Sequence, residues 1–310
     1  MNKPKALKFG DRIGLVAPAS FASKEKIQES IEIIEKMGFK VKLGEGIYER
    51  YGYLSGKDEI RARDINEMFE DPEVDGIICL RGGYGSPRIL DLLDYNTIKN
   101  NPKVFIGYSD ITALHIVFNQ ICDLITFHGP MVSSDMIGNF DEFSIESFLK
   151  SIMSKEIIGK IENPLNEEIV KINGGIVEGP IIGGNLSLIA DTLGTAYEID
   201  TKGKILLIEE VGEEPYSIDR MLNQLRLSGK LEDALGIILG DFRDCEPKGH
   251  YEDSLSLDQV IEDYMRPLNK PIIYNFQTGH CNPIITLALG VKVRLDGDNG
   301  EVYIMESGVK

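Results

Sequence analysis

The sequence has few of the residues from which metal sites and disulfides are built. Its 310 residues include four histidines, four cysteines and no tryptophan. The cysteines are scattered without a Cys-x-x-Cys pair, and the histidines form no His-Glu-x-x-His motif. This spacing argues against structural zinc and for a reduced compartment. We therefore predict a protein without a metal site.

Long apolar runs and excess positive charge are also missing. No run approaches the roughly 20 apolar residues that a membrane-spanning helix needs. The first ten residues are charged and lead into no apolar core, so no signal peptide is predicted and a cytoplasmic location is expected. Lys and Arg number 33 against 50 Asp and Glu, which gives a net charge of −17. Such a charge disfavours nucleic acids and anionic membranes as partners.

The first half of the chain alternates short apolar segments with amphipathic helical segments. Because strands that alternate with helices favour a parallel sheet with helices on both faces, we predict an α/β domain. Ligands of such sheets bind at the carboxyl ends of the strands. The predicted strands cover residues 12–17, 39–43, 74–80, 103–106 and 124–127.

The second half has a different pattern. A polar stretch, interrupted by Asn163-Pro164 and Gly174-Gly175, is typical of an interdomain linker. We therefore predict an N-terminal domain over 1–155, a linker over 156–176 and a C-terminal domain over 177–310. The C-terminal domain is expected to mix helices with strands, and short strands are predicted near its end at 285–289, 291–295 and 302–305.

Ser109 lies where the fourth predicted strand gives way to a helix. A hydroxyl at such a turn suits a nucleophile elbow, because the helix N-terminus favours developing negative charge. Serine is also a common helix cap, with Asp110 as a second polar residue in the first turn. This stretch alone fits a cap better than a nucleophile.

A serine nucleophile needs a base, and four histidines are available. His115 follows Ser109 by six residues on one helix, so it is turned about 240° away. His250 lies in a polar loop, and His128 ends a strand where it could equally bond a loop carbonyl. His280 follows a buried strand and a glycine in the second domain, which makes it the best candidate.

An orienting carboxylate and donors for an oxyanion complete such a site. Glu209 and Glu210 end a very apolar strand, and only one of them should face the site because strand side chains alternate. The amide of Asp110 is a natural first oxyanion donor. The glycine-rich segment 81–85 is placed to supply a second. It matches neither nucleotide-binding glycine pattern, so no cofactor is predicted.

Taken together, these residues form a recognisable set. Five motifs, in order between residues 10 and 295, resemble those of the LD-carboxypeptidase family of serine peptidases, the muramoyltetrapeptide carboxypeptidases. The motifs are Arg81-Gly-Gly-Tyr-Gly85, Gly107-Tyr-Ser-Asp110, Gly183-Gly-Asn-Leu186, Ile208-Glu-Glu-Val211 with Pro215-Tyr-x-x-Asp-Arg220, and Thr278-Gly-His280.

The resemblance implies a catalytic triad. Its positions are Ser109 as nucleophile, His280 as general base and Glu209 as the residue that orients the base. It also implies oxyanion donors at the amides of Gly83 and Asp110. For substrate binding we predict Arg81, Gly82 and Tyr84.

The resemblance also implies a fold and a reaction. The expected fold is a flavodoxin-like N-terminal domain with a parallel sheet, followed by a smaller β-rich α+β C-terminal domain, in a homodimer. The expected reaction removes the terminal D-Ala from murein tetrapeptides at an L,D-peptide bond during cytoplasmic peptidoglycan recycling. No cofactor is implied.

Two alternatives stay open at this point. A related branch of the family confers immunity to microcin C-type antibiotics by cleaving an aminoacyl-nucleotide amide bond. The segment 209–216, Glu-Glu-Val-Gly-Glu-Glu-Pro-Tyr, is more like the murein branch. A non-catalytic peptide-binding module would use the same strand ends.

The turn at Ser109 departs from one known pattern. It lacks the second glycine of the Gly-x-Ser-x-Gly nucleophile elbow, so the rules for α/β-hydrolases do not transfer.

Overall fold

The computed structural model describes residues 1–138, 140–249 and 253–310. His250, one of the four candidate bases, lies outside the described residues. The chain forms two compact units. The first comprises Met1–Glu156, Thr286–Gly290 and Ser307–Lys310, and the second comprises Ile157–Ile285 and Val291–Glu306. Within the described ranges, no helix is both long and apolar enough to span a membrane.

The first unit is built on a six-stranded sheet. Its strands are β1 (Arg12–Val16), β2 (Lys40–Leu43), β3 (Gly76–Cys79), β4 (Val104–Gly107), β5 (Thr126–His128) and β12 (Leu287–Leu289). Their spatial order is β12-β5-β4-β3-β1-β2. The neighbours from β5 to β2 pair in parallel, and β12 joins β5 in the antiparallel sense.

The helices of the first unit connect these strands. They are α1 (Lys24–Lys36), α2 (Asp58–Glu70), α3 (Tyr95–Asn100), α4 (Thr112–Gln120) and α5 (Glu142–Met153). Short 3-10 helices cover Glu45–Tyr48, Ser86–Leu92 and Ser109–Ile111, and a π-helix covers Val132–Met136.

Local chemistry accounts for these elements. Ser23 begins α1 by accepting a hydrogen bond from the amide of Lys26, and Ile27 and Ile34 face the core. Every residue of β3 and β4 is buried, as expected for central strands of a parallel sheet covered on both faces. The predicted α/β class with a parallel sheet is therefore confirmed.

The second unit contains an eight-stranded mixed sheet. Its spatial order is β6-β14-β13-β8-β9-β10-β11-β7, in which the run from β8 to β11 is parallel. The strands are β6 (Gly159–Ile161), β7 (Val170–Asn173), β8 (Ile176–Asn185), β9 (Ile205–Val211), β10 (Gly236–Arg243), β11 (Ile272–Tyr274), β13 (Lys292–Asp296) and β14 (Glu301–Ile304).

Helices α6 (Leu186–Asp191), α7 (Pro215–Leu227), α8 (Lys230–Asp233) and α9 (Leu257–Met265) complete this unit. The segment 156–176, for which the sequence predicts a linker, contributes β6 and β7 to the sheet. Strand β9 is buried from Ile205 to Glu210. Its apolar residues anchor the sheet, and its two glutamates lie at the carboxyl end.

Candidate active site

Ser109 occupies a strained turn in the first unit. Strand β4 ends at Gly107, the 3-10 helix begins at Ser109, and α4 begins at Thr112. The φ of Ser109 is 61°, in the left-handed region that non-glycine residues rarely adopt. The N-cap positions of the two helices are Tyr108 and Ile111, so the capping role that the stretch favours does not fall to Ser109. Strain of this kind is typical of functional turns.

The glycine-rich segment lies directly against the serine. A Cβ atom on Gly82 would be 3.1 Å from the Cβ of Ser109 and 3.2 Å from its Oγ. Gly83 has a φ of 116°, and its backbone packs against the side chain of Ser20. Gly82 can therefore lie this close to Ser109, and Gly83 this close to Ser20, only because neither position carries a side chain.

The side chain of Asp110 ties the serine turn to the glycine-rich segment. Its fully buried carboxylate accepts hydrogen bonds from the amides of Gly85 at 3.2 Å and Ser86 at 2.7 Å. The hydroxyl of Ser86 donates in return to the Asp110 carbonyl. Burial raises the pKa of Asp110, and these hydrogen bonds and the charge of Arg61 oppose that rise.

Arg61 supports the same segment from α2. Its guanidinium is 1% exposed and donates to the carbonyls of Pro18 and Gly85, the latter at 2.8 Å. It also pairs with Asp58 in the first turn of the helix. Arg61 is not among the residues predicted from the sequence. Its helical spacing could have indicated it, because Arg61 stands four residues before Ile65 on the buried face of α2.

The predicted substrate-binding residues lie at the same loop. Arg81 is half-buried, and its Nη1 donates a long hydrogen bond of 3.4 Å to the carbonyl of Phe21. Tyr84 is exposed, and its ring meets the ring of Tyr53 edge to face at 5.6 Å. Of these three residues, Gly82 is the one with a measured approach to Ser109, while Arg81 and Tyr84 contact Phe21 and Tyr53.

The second unit holds a glutamate–histidine pair. Nδ1 of His280 lies 2.7 Å from Oε2 of Glu209. The carboxylate is fully buried, and the histidine side chain is 17% exposed. A carboxylate at Nδ1 keeps the proton of a neutral imidazole on that nitrogen and leaves Nε2 as the basic atom. This pair has the chemistry of a general base with its orienting acid.

Two glycines leave room for the buried carboxylate of Glu209. A Cβ atom on Gly279 would be 2.6 Å from Oε2 of Glu209, and one on Gly240 would be 3.1 Å from the Cβ of Glu209. Gly279 also has a φ of 104°. Side chains at either position would displace Glu209 from His280.

Glu210 points to the other face of β9, as strand alternation requires. Its buried carboxylate accepts hydrogen bonds from Nδ2 of Asn185 at 2.9 Å and from the amide and hydroxyl of Ser187 at 2.8 and 2.7 Å. Burial raises its pKa. Glu210 therefore binds the start of α6, and Glu209 is the glutamate that meets His280.

The other described histidines lie in the core of the first unit. Nε2 of His115 is hydrogen-bonded to the carbonyl of Gly107 at 2.8 Å, and burial lowers the pKa of His115 to about 4. His128 is fully buried and packs edge to face on Tyr108, with ring centres 5.7 Å apart. In the described part of the chain, no cluster of three or more His, Cys, Asp or Glu side chains is arranged to hold a metal.

Comparison with known proteins assigns both halves of the chain. Residues 13–129 match the model described as the LD-carboxypeptidase N-terminal domain, and residues 178–295 match that of the LD-carboxypeptidase C-terminal domain. The chain belongs to the LD-carboxypeptidase family. It is therefore a hydrolase of the serine peptidase type, and the resemblance carried by the five motifs is confirmed.

Named relatives cover most or nearly all of the chain. A probable murein peptide carboxypeptidase of Bacillus subtilis is 44% identical, over 99% of this chain and 95% of the relative. A murein tetrapeptide carboxypeptidase of Pseudomonas aeruginosa is 31% identical, over 87% and 88%. The solved structure of the microcin C7 self-immunity protein MccF in complex with aspartyl sulfamoyl adenosine is 27% identical, covers 100% of both chains and has a TM-score of 0.91.

The contact between Gly82 and Ser109 predicts a specific effect of Gly82→Ala. The added methyl group would press on Cβ and Oγ of the serine at 3.1 and 3.2 Å. On the sequence-based prediction that Ser109 is a nucleophile, we expect its covalent labelling by a fluorophosphonate to slow at least about tenfold, because small displacements of a reacting group are costly. Labelling rates followed by intact-protein mass spectrometry measure this.

Gly76→Ala is the matched control for this variant. Gly76 begins β3 in the same unit, and a Cβ there would be 3.1 Å from the side chain of Leu7. The crowding is comparable, but it lies away from the serine. Equal slowing in both variants, at equal loss of melting temperature, would contradict the contact-based explanation.

Proposed function

We propose that this protein hydrolyses the L,D-peptide bond that releases the terminal D-Ala from murein tetrapeptides in peptidoglycan recycling. The observation that carries the proposal is the 2.7 Å hydrogen bond between His280 and the fully buried Glu209. Two relatives are named as murein peptide and murein tetrapeptide carboxypeptidases, which supports the choice of substrate. The proposed setting is the cytoplasm, and the proposed assembly is a homodimer.

Ser109, His280 and Glu209 form the proposed triad. His280 takes the proton of Ser109 through Nε2 while the Oγ attacks the scissile carbonyl carbon. Glu209 stabilises the imidazolium and holds the ring in its tautomer. Ser109 belongs to the first unit, and His280 and Glu209 belong to the second.

The amides of Gly83 and Asp110 are the proposed oxyanion donors. When the tetrahedral intermediate collapses, the carbon–nitrogen bond breaks and His280 returns the proton to the amine of D-Ala. The tripeptide then remains as an ester of Ser109. Water, deprotonated by His280, attacks this ester and restores the free serine.

Arg81 is the proposed partner of the substrate's terminal carboxylate, with Gly82 and Tyr84 lining the same segment. A guanidinium suits this role because it can donate two parallel hydrogen bonds to a carboxylate. Nε of Arg81 has no hydrogen-bond partner within the described residues, and the bond from Nη1 is long at 3.4 Å. The guanidinium is therefore not saturated by hydrogen bonds within the described residues.

An aminoacyl-nucleotide substrate is the second candidate. The similarity to MccF, solved with aspartyl sulfamoyl adenosine, favours it because the two chains share the fold over their whole length. The proposed chemistry would be the same, since both substrates offer an acyl carbon to Ser109. Only the leaving group and the pocket that receives it would differ.

Substrate choice can be measured directly. The purified protein is incubated with murein tetrapeptide, murein pentapeptide and an aminoacyl sulfamoyl nucleotide, and the products are identified by mass spectrometry. We expect D-Ala and the tripeptide from the tetrapeptide, at a rate at least about tenfold above the nucleotide. Preferential cleavage of the nucleotide would favour the second candidate, and tight retention of uncleaved peptide would identify a binding module.

The two adjacent glutamates provide a matched test of the triad. Glu209→Gln should lower kcat for D-Ala release by about 10³- to 10⁴-fold, because the amide no longer stabilises the imidazolium or its tautomer. Glu210→Gln makes the same change one residue on, in a carboxylate bonded to Asn185 and Ser187. It should keep kcat within about threefold and lower only stability, by about 1–3 kcal/mol. Similar kcat values for the two variants would refute the role of Glu209.

A further inference from the structure

Asp241 lies at a β-bulge beside the glutamate–histidine pair. Strands β9 and β10 pair in parallel with Leu239 opposite Ile208, and pairing resumes with Phe242 opposite Glu210. Gly240 and Asp241 on β10 therefore oppose the single residue Glu209 on β9. A bulge of this kind bends its strand and re-aims a side chain, and bulges are frequent next to active sites.

The bulge is fixed to the segment that carries His280. The amide of Asp241 donates a hydrogen bond of 3.1 Å to the carbonyl of Thr278, two residues before the histidine. A Cβ on Gly240 would be 2.7 Å from the same carbonyl and 3.1 Å from the Cβ of Glu209. The backbone thus holds Asp241, Glu209 and His280 as one group.

The carboxylate of Asp241 is only weakly satisfied by its neighbours. Its side chain is 19% exposed, and its Oδ2 has no hydrogen-bond partner in the described residues. The nearest measured cation is Nε of Arg243 at 3.6 Å, on a side chain that is 47% exposed. Because Oδ2 has no hydrogen bond within the described residues and the measured cation is 3.6 Å away, the negative charge of this carboxylate can act on neighbouring titratable groups.

Arg243 and the protonated form of His280 act on Asp241 in the opposite sense to burial. Burial raises the pKa of Asp241, and positive charge on Arg243 or His280 lowers it. Because an interaction between charges is mutual, the negative charge of Asp241 favours the protonated form of His280. The other titratable groups coupled to Asp241 are Glu167, Asp244, Cys245, Tyr274 and Cys281.

We propose that Asp241 is a positioning residue for the base, a second carboxylate that stabilises the imidazolium of His280 without bonding to it. Glu209 fixes the ring and its tautomer through a hydrogen bond at Nδ1, and Asp241 adds a through-space charge. The inference rests on the proposed function, in which His280 accepts and returns a proton in each half-reaction.

The direct test is an NMR titration of the imidazole of His280 in histidine-labelled protein. The signal is assigned as the one that His280→Ala removes. In Asp241→Asn we expect the pKa of His280 to fall by about 0.5–1 unit, since one nearby negative charge is lost. The acidic limb of kcat/KM for D-Ala release should move to lower pH by the same amount. Asp241→Glu retains the charge and should leave the limb near its wild-type position.

Asp244→Asn is the matched control. It removes the same charge three residues further on, from an exposed residue whose field is screened by solvent. It should shift the titration of His280 by less than about a third as much. If Asp241→Asn does not fold, Arg243→Gln takes its place, and removal of that cation should raise the pKa of His280.

The outcomes separate this inference from the proposed function. If the wild-type protein hydrolyses tetrapeptide but the titration of His280 is unchanged in Asp241→Asn, the role of Asp241 is refuted alone. An equal shift in Asp241→Asn and Asp244→Asn would also overturn it, since only bulk charge would be acting. If no peptide is hydrolysed, the proposed function fails, and the titration still decides whether the two side chains are coupled.

Discussion

The hydrogen bond between Glu209 and His280 is the interaction around which the candidate site of the second unit is built. A fully buried carboxylate is costly unless it is paired, and here the imidazole supplies the partner at 2.7 Å. The surrounding backbone is shaped to permit this contact, because Gly240 and Gly279 leave no side chain where the carboxylate lies. The pair therefore constrains the end of β9, the bulge in β10 and the segment after β11 together.

The first unit meets a different constraint, which is to present a hydroxyl from a turn that serine does not favour. The φ of 61° at Ser109 stores strain, and strain persists only where neighbours over-determine the conformation. Asp110 and Arg61 provide that support through buried hydrogen bonds to the glycine-rich segment. The residue after the serine thus has two roles, since its amide is a proposed oxyanion donor and its carboxylate holds the loop.

Much of this arrangement follows from local sequence patterns. Apolar runs indicated the parallel strands, because central strands are buried on both faces. Alternation along β9 required Glu209 and Glu210 to face opposite ways, and helix periodicity separated His115 from Ser109. These features depend only on neighbours in the sequence, which is why the sequence was enough to predict them.

Other features depend on contacts between distant residues, and local patterns do not encode them. The sequence predicts a short strand at 285–289, but not that β12 would pair with β5, about 160 residues earlier. The polar segment 156–176 contains β6 and β7, whose pairing partners β14 and β11 come from near the end of the chain. The prediction of Ser109 as a helix cap took no account of the close approach of Gly82, which is a contact between distant residues. The bulge at Asp241 is visible only in the register between β9 and β10.

The decisive experiment is to trap the acyl-enzyme. Wild-type protein is mixed with murein tetrapeptide and quenched in acid during turnover, and its intact mass and peptide map are measured. We expect an adduct of the tripeptide on Ser109, as an acyl ester, that is absent from Ser109→Ala and accumulates more slowly in His280→Ala. D-Ala release at a near-normal rate by Ser109→Ala, or an adduct on a different residue, would contradict it.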